Sequence, residues 1–128
     1  MKILLDTHIA LWWVNEHEKI SPTARAVLLD DSNTLYLSII SLWEIAIKTS
    51  LGKLMEFDGG VCAFMAKVNE MPVQLLSIEP HHIKMVEDLP YIHRDPFDRL
   101  LIAIANTEGM AILSVDENIH KYDVPSIW

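Results

Sequence analysis

The chain has one cysteine, Cys62, among 128 residues. An internal disulfide is therefore excluded, and so is a zinc site built on cysteine. Within Gly60-Val61-Cys62-Ala63-Phe64-Met65 no base stands ready to activate it, so Cys62 is expected as a buried thiol packing like a small hydrophobe. Long apolar runs are missing as well. None reaches the ~18 residues that cross a bilayer, and Met1-Lys2-Ile3-Leu4-Leu5-Asp6 is too short an apolar stretch for a secretory leader. The expected location is the cytoplasm. Basic residues are scarce: 10 Lys and Arg face 18 Asp and Glu, a formal net charge of −8. This argues against a protein that holds nucleic acid by electrostatics alone. It leaves open one that meets phosphate through metal ions, which invert the local field, and it would attract a basic partner. Repeats, low-complexity tracts and linkers are also lacking, so residues 1–128 are expected to form one domain.

What is abundant is apolar: 51% of residues are hydrophobic and the mean hydropathy is +0.22, which excludes disorder. Short apolar runs at 2–5, 35–38, 73–76 and 111–113 read as strands. Helical spacing starts near Thr7. Ser21-Pro22 caps and opens a helix to about Leu29. Further helices are expected over 41–50, stopping at Gly52, over 58–71, ended by Pro72, and from Pro80 to about Asp88. Asp95-Pro96 opens the strongest helix, which runs to Glu108 and stops at Gly109. Strands alternating with helices predict an α/β fold with a central parallel sheet flanked by helices. Ligands of such sheets bind beyond the carboxyl ends of the strands.

Four acids interrupt or abut these apolar segments. Asp6 closes the first strand, and Glu44 lies in Leu42-Trp43-Glu44-Ile45-Ala46-Ile47. Asp98 opens Asp98-Arg99-Leu100-Leu101-Ile102, and Asp116 follows Ile112-Leu113-Ser114-Val115. Unpaired charge beside a core is costly, and few basic residues stand near these acids, so a divalent cation is the natural partner. Mg²⁺ prefers oxygen ligands and keeps several waters, so two to four carboxylates suffice. One or two such ions can acidify water, neutralise a phosphate oxygen and stabilise a leaving oxygen. Bland alternatives stand beside each assignment. Asp6, Asp95 and Asp116 can cap helices, Glu44 can pair with Lys48, and Cys62 is inert. His81 and His82 look like solvated residues at a helix start, whereas His8 and His93 lie nearer the acids and are candidate substrate contacts.

The blocks Asp6-Thr7-His8 with Leu11-Trp12, Ser38 to Ile45, His93-Arg94-Asp95-Pro96-Phe97-Asp98-Arg99-Leu100-Leu101-Ile102-Ala103 and Ser114-Val115-Asp116 resemble PIN-domain ribonucleases. They most resemble the VapC-type toxins of bacterial type II toxin–antitoxin pairs, in order and over essentially the whole chain. The resemblance implies a PIN-like fold and a Mg²⁺- or Mn²⁺-dependent endoribonuclease that hydrolyses RNA phosphodiesters with metal-activated water. It assigns Asp6, Glu44, Asp98 and Asp116 to the metal ions. Thr7 and Ser114 become supporting hydroxyls, Ser114 standing where threonine is more usual, and Asp95 a supporting acid. Arg99 would orient Asp98 or a phosphate, or serve a structural ion pair. The resemblance further implies a homodimer silenced by a cognate antitoxin that inserts a basic or aromatic segment near the acids. Trp12, Trp13 and Trp43 are candidates for that groove, with core or dimer packing the alternative, favoured for Trp43.

Rival classes fit less well. A receiver domain needs an acidic pair after its first strand and a Lys after its last, and neither is present. An aspartyl-phosphate hydrolase wants a second Asp where this chain has His8, and no segment supplies the helical arch of structure-specific DNA nucleases. A PIN fold reduced to a catalytically inert binding module is the remaining alternative.

Overall fold

A computed structural model describes residues 1–54 and 57–128. Five parallel strands form one sheet in the order β3-β2-β1-β4-β5, comprising β1 (Lys2–Leu5), β2 (Thr34–Ser38), β3 (Val73–Leu76), β4 (Ala111–Leu113) and β5 (Ser126–Ile127). The alternation of side chains along a strand separates two cores. Ile3, Leu5, Leu35, Leu37, Ala111 and Leu113 face one of them. Leu4 and Ile112 face the other, with Tyr36 packed beside them. Helices α1 (Thr7–Asn15), α2 (Pro22–Leu29) and α4 (Gly60–Val68) cover the first face. Helices α5 (Pro80–Asp88), α6 (Pro96–Glu108) and the short α7 (Glu117–His120) cover the second. Helix α3 (Ile39–Ser50) serves both, giving Ile45 to one core and Ile40 to the other. The predicted α/β architecture is therefore present, and no described helix is long and apolar enough to cross a membrane.

Local chemistry sets the boundaries. Ser21 accepts from the Ala24 N–H and Pro22 follows it, as expected for α2. Helix α3 begins two residues before the predicted Ser41, because the Ser38 hydroxyl accepts from the Ile40 N–H and caps it there. Helix α4 is shorter than the predicted 58–71. Its start is fixed at Gly59, whose φ of 105° is left-handed, and a Cβ there would lie 2.7 Å from that of Ala63. Helix α7 and strand β5 are too short for periodicity to reveal. Strand β5 is placed by pairing with β4, Ile112 opposite Ser126 and Leu113 opposite Ile127. Cys62 differs from expectation: it is exposed on α4, whose buried face is carried by Phe64 and Val68.

The strand order reverses between β1 and β4, which are neighbours although the chain visits β2 and β3 between them. Parallel α/β sheets open a crevice for ligands at such a switch point, beyond the strands' carboxyl ends. Helix α6 returns from that edge to the start of β4, so its first turn lies at the same edge. Its apolar side is inaccessible from Leu101 to Ala105. Truncating Ile104→Ala should therefore cost about 2–5 kcal/mol, read as a lower urea midpoint with an unchanged slope. An unshifted midpoint would mean that this helix is not core.

Candidate functional site

The edge just defined gathers the predicted acids. Asp6 follows β1 and occupies the N-cap position of α1, yet makes no capping bond with its side chain. Its Oδ2 instead accepts from Ser114 Oγ at 2.7 Å, across the switch point from the end of β4. The Ser114 hydroxyl also accepts from the Asp116 N–H at 3.0 Å, so one hydroxyl ties two of the acids together. His120 fixes Ser114 in turn. Its Nε2 donates to the Ser114 carbonyl at 2.7 Å, and its Nδ1 accepts from Ser126 Oγ at 2.8 Å. Asp116 does cap the short α7, accepting from the Asn118 N–H at 2.8 Å.

Glu44 is buried on α3 with Ile45, while Trp43 is 60% exposed. Lys48 Nζ reaches Glu44 Oε2 at 2.8 Å. Thr7 donates to Ser41 Oγ at 2.8 Å, a buried bond that joins α1 to α3 one turn before Glu44. Asp95 caps α6 by accepting from the Phe97 and Asp98 N–H groups. That bond fixes the turn on which Asp98 sits, so Asp95 acts through the backbone. Asp98 Oδ2 meets His93 Nε2 at 3.1 Å. The Arg99 side chain bonds to groups other than Asp98. Its guanidinium donates to the carbonyls of Pro90 (3.0 Å) and Val86 (3.4 Å) and to Tyr122 Oη (3.1 Å), and stacks on Tyr91.

The electrostatics show that these acids share one field. Burial pushes the Asp98 carboxyl up to about 8, and the charges of Asp6, Asp95, Asp116 and Glu44 push it the same way. Burial also raises Asp6, against the Ser114 hydrogen bond and His8, and with the help of Glu44 and Asp116. His93 is compatible with either state of Asp98, because Oδ2 can accept while a proton sits on Oδ1. The donor set consists of carboxylate oxygens only, with Asp6, Glu44 and Asp98 buried, which fits a hard divalent cation such as Mg²⁺ or Mn²⁺.

Among the described residues, the one trio whose ligand atoms lie within 4.8 Å of one another is His81, His82 and Glu108. The four acids are set wider, as suits an ion that keeps part of its water. The trio itself is not built for a metal. The Glu79 N–H donates to His82 Nδ1 at 2.9 Å, so the ring proton sits on Nε2 and is given to Glu108 Oε1 at 2.7 Å. His82 is thus buried rather than solvated, and clamps α5 to α6. His81, as expected, is exposed. Tyr122, His120 and Ser41 are site-supporting residues that sequence reasoning missed. The tryptophans divide. Trp12 and Trp13 are half-buried against the first core. Trp43, for which core or dimer packing was favoured, is not in the core but on the surface, edge-on to Phe97 at 5.5 Å.

Fold and site together define an α/β protein with a cluster of acids at the switch point of a parallel sheet. The chain belongs to the PIN domain family, whose profile matches residues 3–125. Ribonuclease VapC22 of Mycobacterium tuberculosis is 26% identical over an alignment of 130 positions that covers 98% of each chain. Among solved structures, VapBC2 from Rickettsia felis, bound to a DNA fragment from its promoter, superposes with a TM-score of 0.73 at 17% identity over 99% of this chain and 98% of that one. The sarcin-ricin loop cleaving toxin VapC20 of Mycobacterium tuberculosis gives a TM-score of 0.59 at 15% identity, covering 94% of this chain and 95% of its own. The solved structures establish the shared fold.

The raised carboxyls set a pH dependence. Asp98 binds its proton more tightly folded, at about 8, than at its ordinary 3.8. Its contribution to stability is full below about 4 and is lost as pH rises through about 8. Metal-stripped protein should therefore melt at progressively lower temperature between those limits, and Asp98→Asn should flatten most of that slope. Equal slopes for the two proteins would show that Asp98 does not carry the strain.

Proposed function

We propose that this chain is a metal-dependent endoribonuclease, the toxin of a type II toxin–antitoxin pair, hydrolysing RNA phosphodiesters. The observation that carries the reading is the convergence of Asp6, Glu44, Asp98 and Asp116 at the switch point, where burial first, and then the charges of Asp6, Asp95, Asp116 and Glu44, push Asp98 up to about 8. In this reading the four acids hold Mg²⁺ or Mn²⁺. When bound, such an ion makes water more acidic and neutralises phosphate charge. The chain's own residues prepare that site. Ser114 aims Asp6 by its hydrogen bond, the Asp95 cap holds the turn bearing Asp98, and Lys48 steadies Glu44 until an ion competes for it. His8, whose charge acts on Asp6, is the candidate contact to RNA, whereas the His93 ring is already engaged by Asp98 and Tyr122.

The net charge of −8 supports the same assignment, since phosphate would need intervening cations to approach this surface. Support for the toxin role comes from relatives named as a ribonuclease and as a toxin. A further structural neighbour, VapBC-5 of Mycobacterium tuberculosis, is described as a member of a toxin–antitoxin family. The partners proposed are an RNA substrate, a cognate antitoxin and a second copy of the chain, in the cytoplasm. The exposed Trp43 and Ile83, beside an apolar groove lined by Ile40, Phe97 and Leu100, supply surface suited to protein contacts.

The test is incubation of the folded, partner-free protein with total RNA and Mn²⁺ or Mg²⁺. Discrete cleavage is expected. It should vanish with chelator and fall by more than about 100-fold in Asp98→Asn, beyond what loss of an outer-shell partner usually costs. Intact RNA from protein shown to bind the metal would instead indicate an inert binding module.

A further inference from the structure

We infer that His93 is a positioning residue for Asp98, held in a single tautomer by Tyr122 and Arg99. The argument is a count of donors and acceptors at Tyr122 Oη. That oxygen accepts from the His93 backbone N–H at 3.3 Å and from Arg99 Nη1 at 3.1 Å. With both lone pairs engaged, the phenol can only donate in its third contact, which is to His93 Nδ1 at 2.9 Å. Nδ1 is then an acceptor and the ring proton belongs to Nε2. Nε2 lies 3.1 Å from Asp98 Oδ2 and gives it that proton as a hydrogen bond. The chain of donors runs from Arg99 through Tyr122 and His93 to one oxygen of Asp98, Oδ2.

The surroundings make the relay rigid. Tyr122 and Arg99 are buried, and Arg99 is further pinned by the Pro90 and Val86 carbonyls. The His93 ring packs edge-on against Tyr122 with centroids 5.5 Å apart. Asp98 receives its orientation from residues 93 and 122, whereas Asp6 receives its own from Ser114. Arg99, adjacent to Asp98 in sequence, thus acts on it from three hydrogen bonds away. Outer-shell partners of this kind orient ligands and tune affinity.

The inference rests on the reading that Asp98 binds a divalent ion, and the experiment separates the two. Long-range ¹H–¹⁵N spectra of the metal-free full chain should show His93 protonated at Nε2. A ring protonated at Nδ1 would overturn the relay whatever the metal does. Mn²⁺ affinity is then titrated for wild type, Asp98→Asn, Tyr122→Phe, His93→Ala and His93→Gln, with folding checked by circular dichroism. Tyr122→Phe keeps the buried ring and removes only the hydroxyl, so it carries the test if His93→Ala does not fold. Tyr122→Phe and His93→Ala should each weaken Mn²⁺ binding about tenfold, and combining them should weaken it no further than His93→Ala alone. His93→Gln, which restores an N–H near the Nε2 position, should recover most of the affinity. If Asp98→Asn weakens binding but the His93 and Tyr122 variants match wild type, the relay is wrong and the site stands. A wild type that binds no Mn²⁺ overturns both.

Discussion

Everything at the functional edge depends on crowding negative charge where water is scarce. Asp6, Glu44, Asp98 and Asp116 would each be unremarkable alone on a surface. At the reversal of a parallel sheet, burial and the charges of their neighbours raise the proton affinity of Asp6 and Asp98, and Asp98 is lifted to about 8. The fold makes the crowding unavoidable. Strands β1 and β4 are paired in parallel, Leu5 opposite Leu113, so the residues that follow them emerge side by side. Helix α3 continues directly from β2, and α6 returns from the same edge. A fold that only had to be stable would place such acids elsewhere. Their crowding marks a candidate functional site, and in the proposed function it is where the cation binds.

The supporting residues hold the acids without quenching them. Hydroxyls, a backbone cap and an imidazole do most of the work: Ser114 on Asp6, Asp95 beneath Asp98, and His93 beside it. Lys48 on Glu44 is a cationic partner, on the half-exposed flank of α3. Much of this support comes from the last dozen residues. His120 fixes the carbonyl of Ser114, and Tyr122 fixes both the ring and the backbone of His93. The C-terminal segment therefore serves two acids from one place, although it contributes only a short helix and a two-residue strand.

How much of this was legible in the sequence varied with the range of the interaction. The four long strands were visible as apolar runs, and α2 and α6 announced themselves through Ser21-Pro22 and Asp95-Pro96, because capping is local. The acids stood out because each interrupts an apolar segment. Less local facts were hidden. His82 looks like a surface residue until Glu108, 26 positions away, comes into reach. Tyr122 carries no local signature, and its role appears only when His93 is brought to it across 29 residues. Cys62 was misjudged for the same reason. Which side of an apolar helix is buried depends on its neighbours, and α4 turns Cys62 outward. Arg99 shows the converse: its place beside Asp98 suggested a direct contact, but its bonds run to Tyr122 and to the carbonyls of Val86 and Pro90.

The most direct test of the acid cluster is calorimetric titration of the metal-free protein with Mn²⁺ near pH 7, repeated in buffers of different ionisation enthalpy. If Asp98 is protonated there, at a pKa of about 8, the ion must displace that proton, and about one proton should be released per protein. Asp98→Asn should abolish the release. Binding without proton release, or no binding by folded protein, would contradict the account.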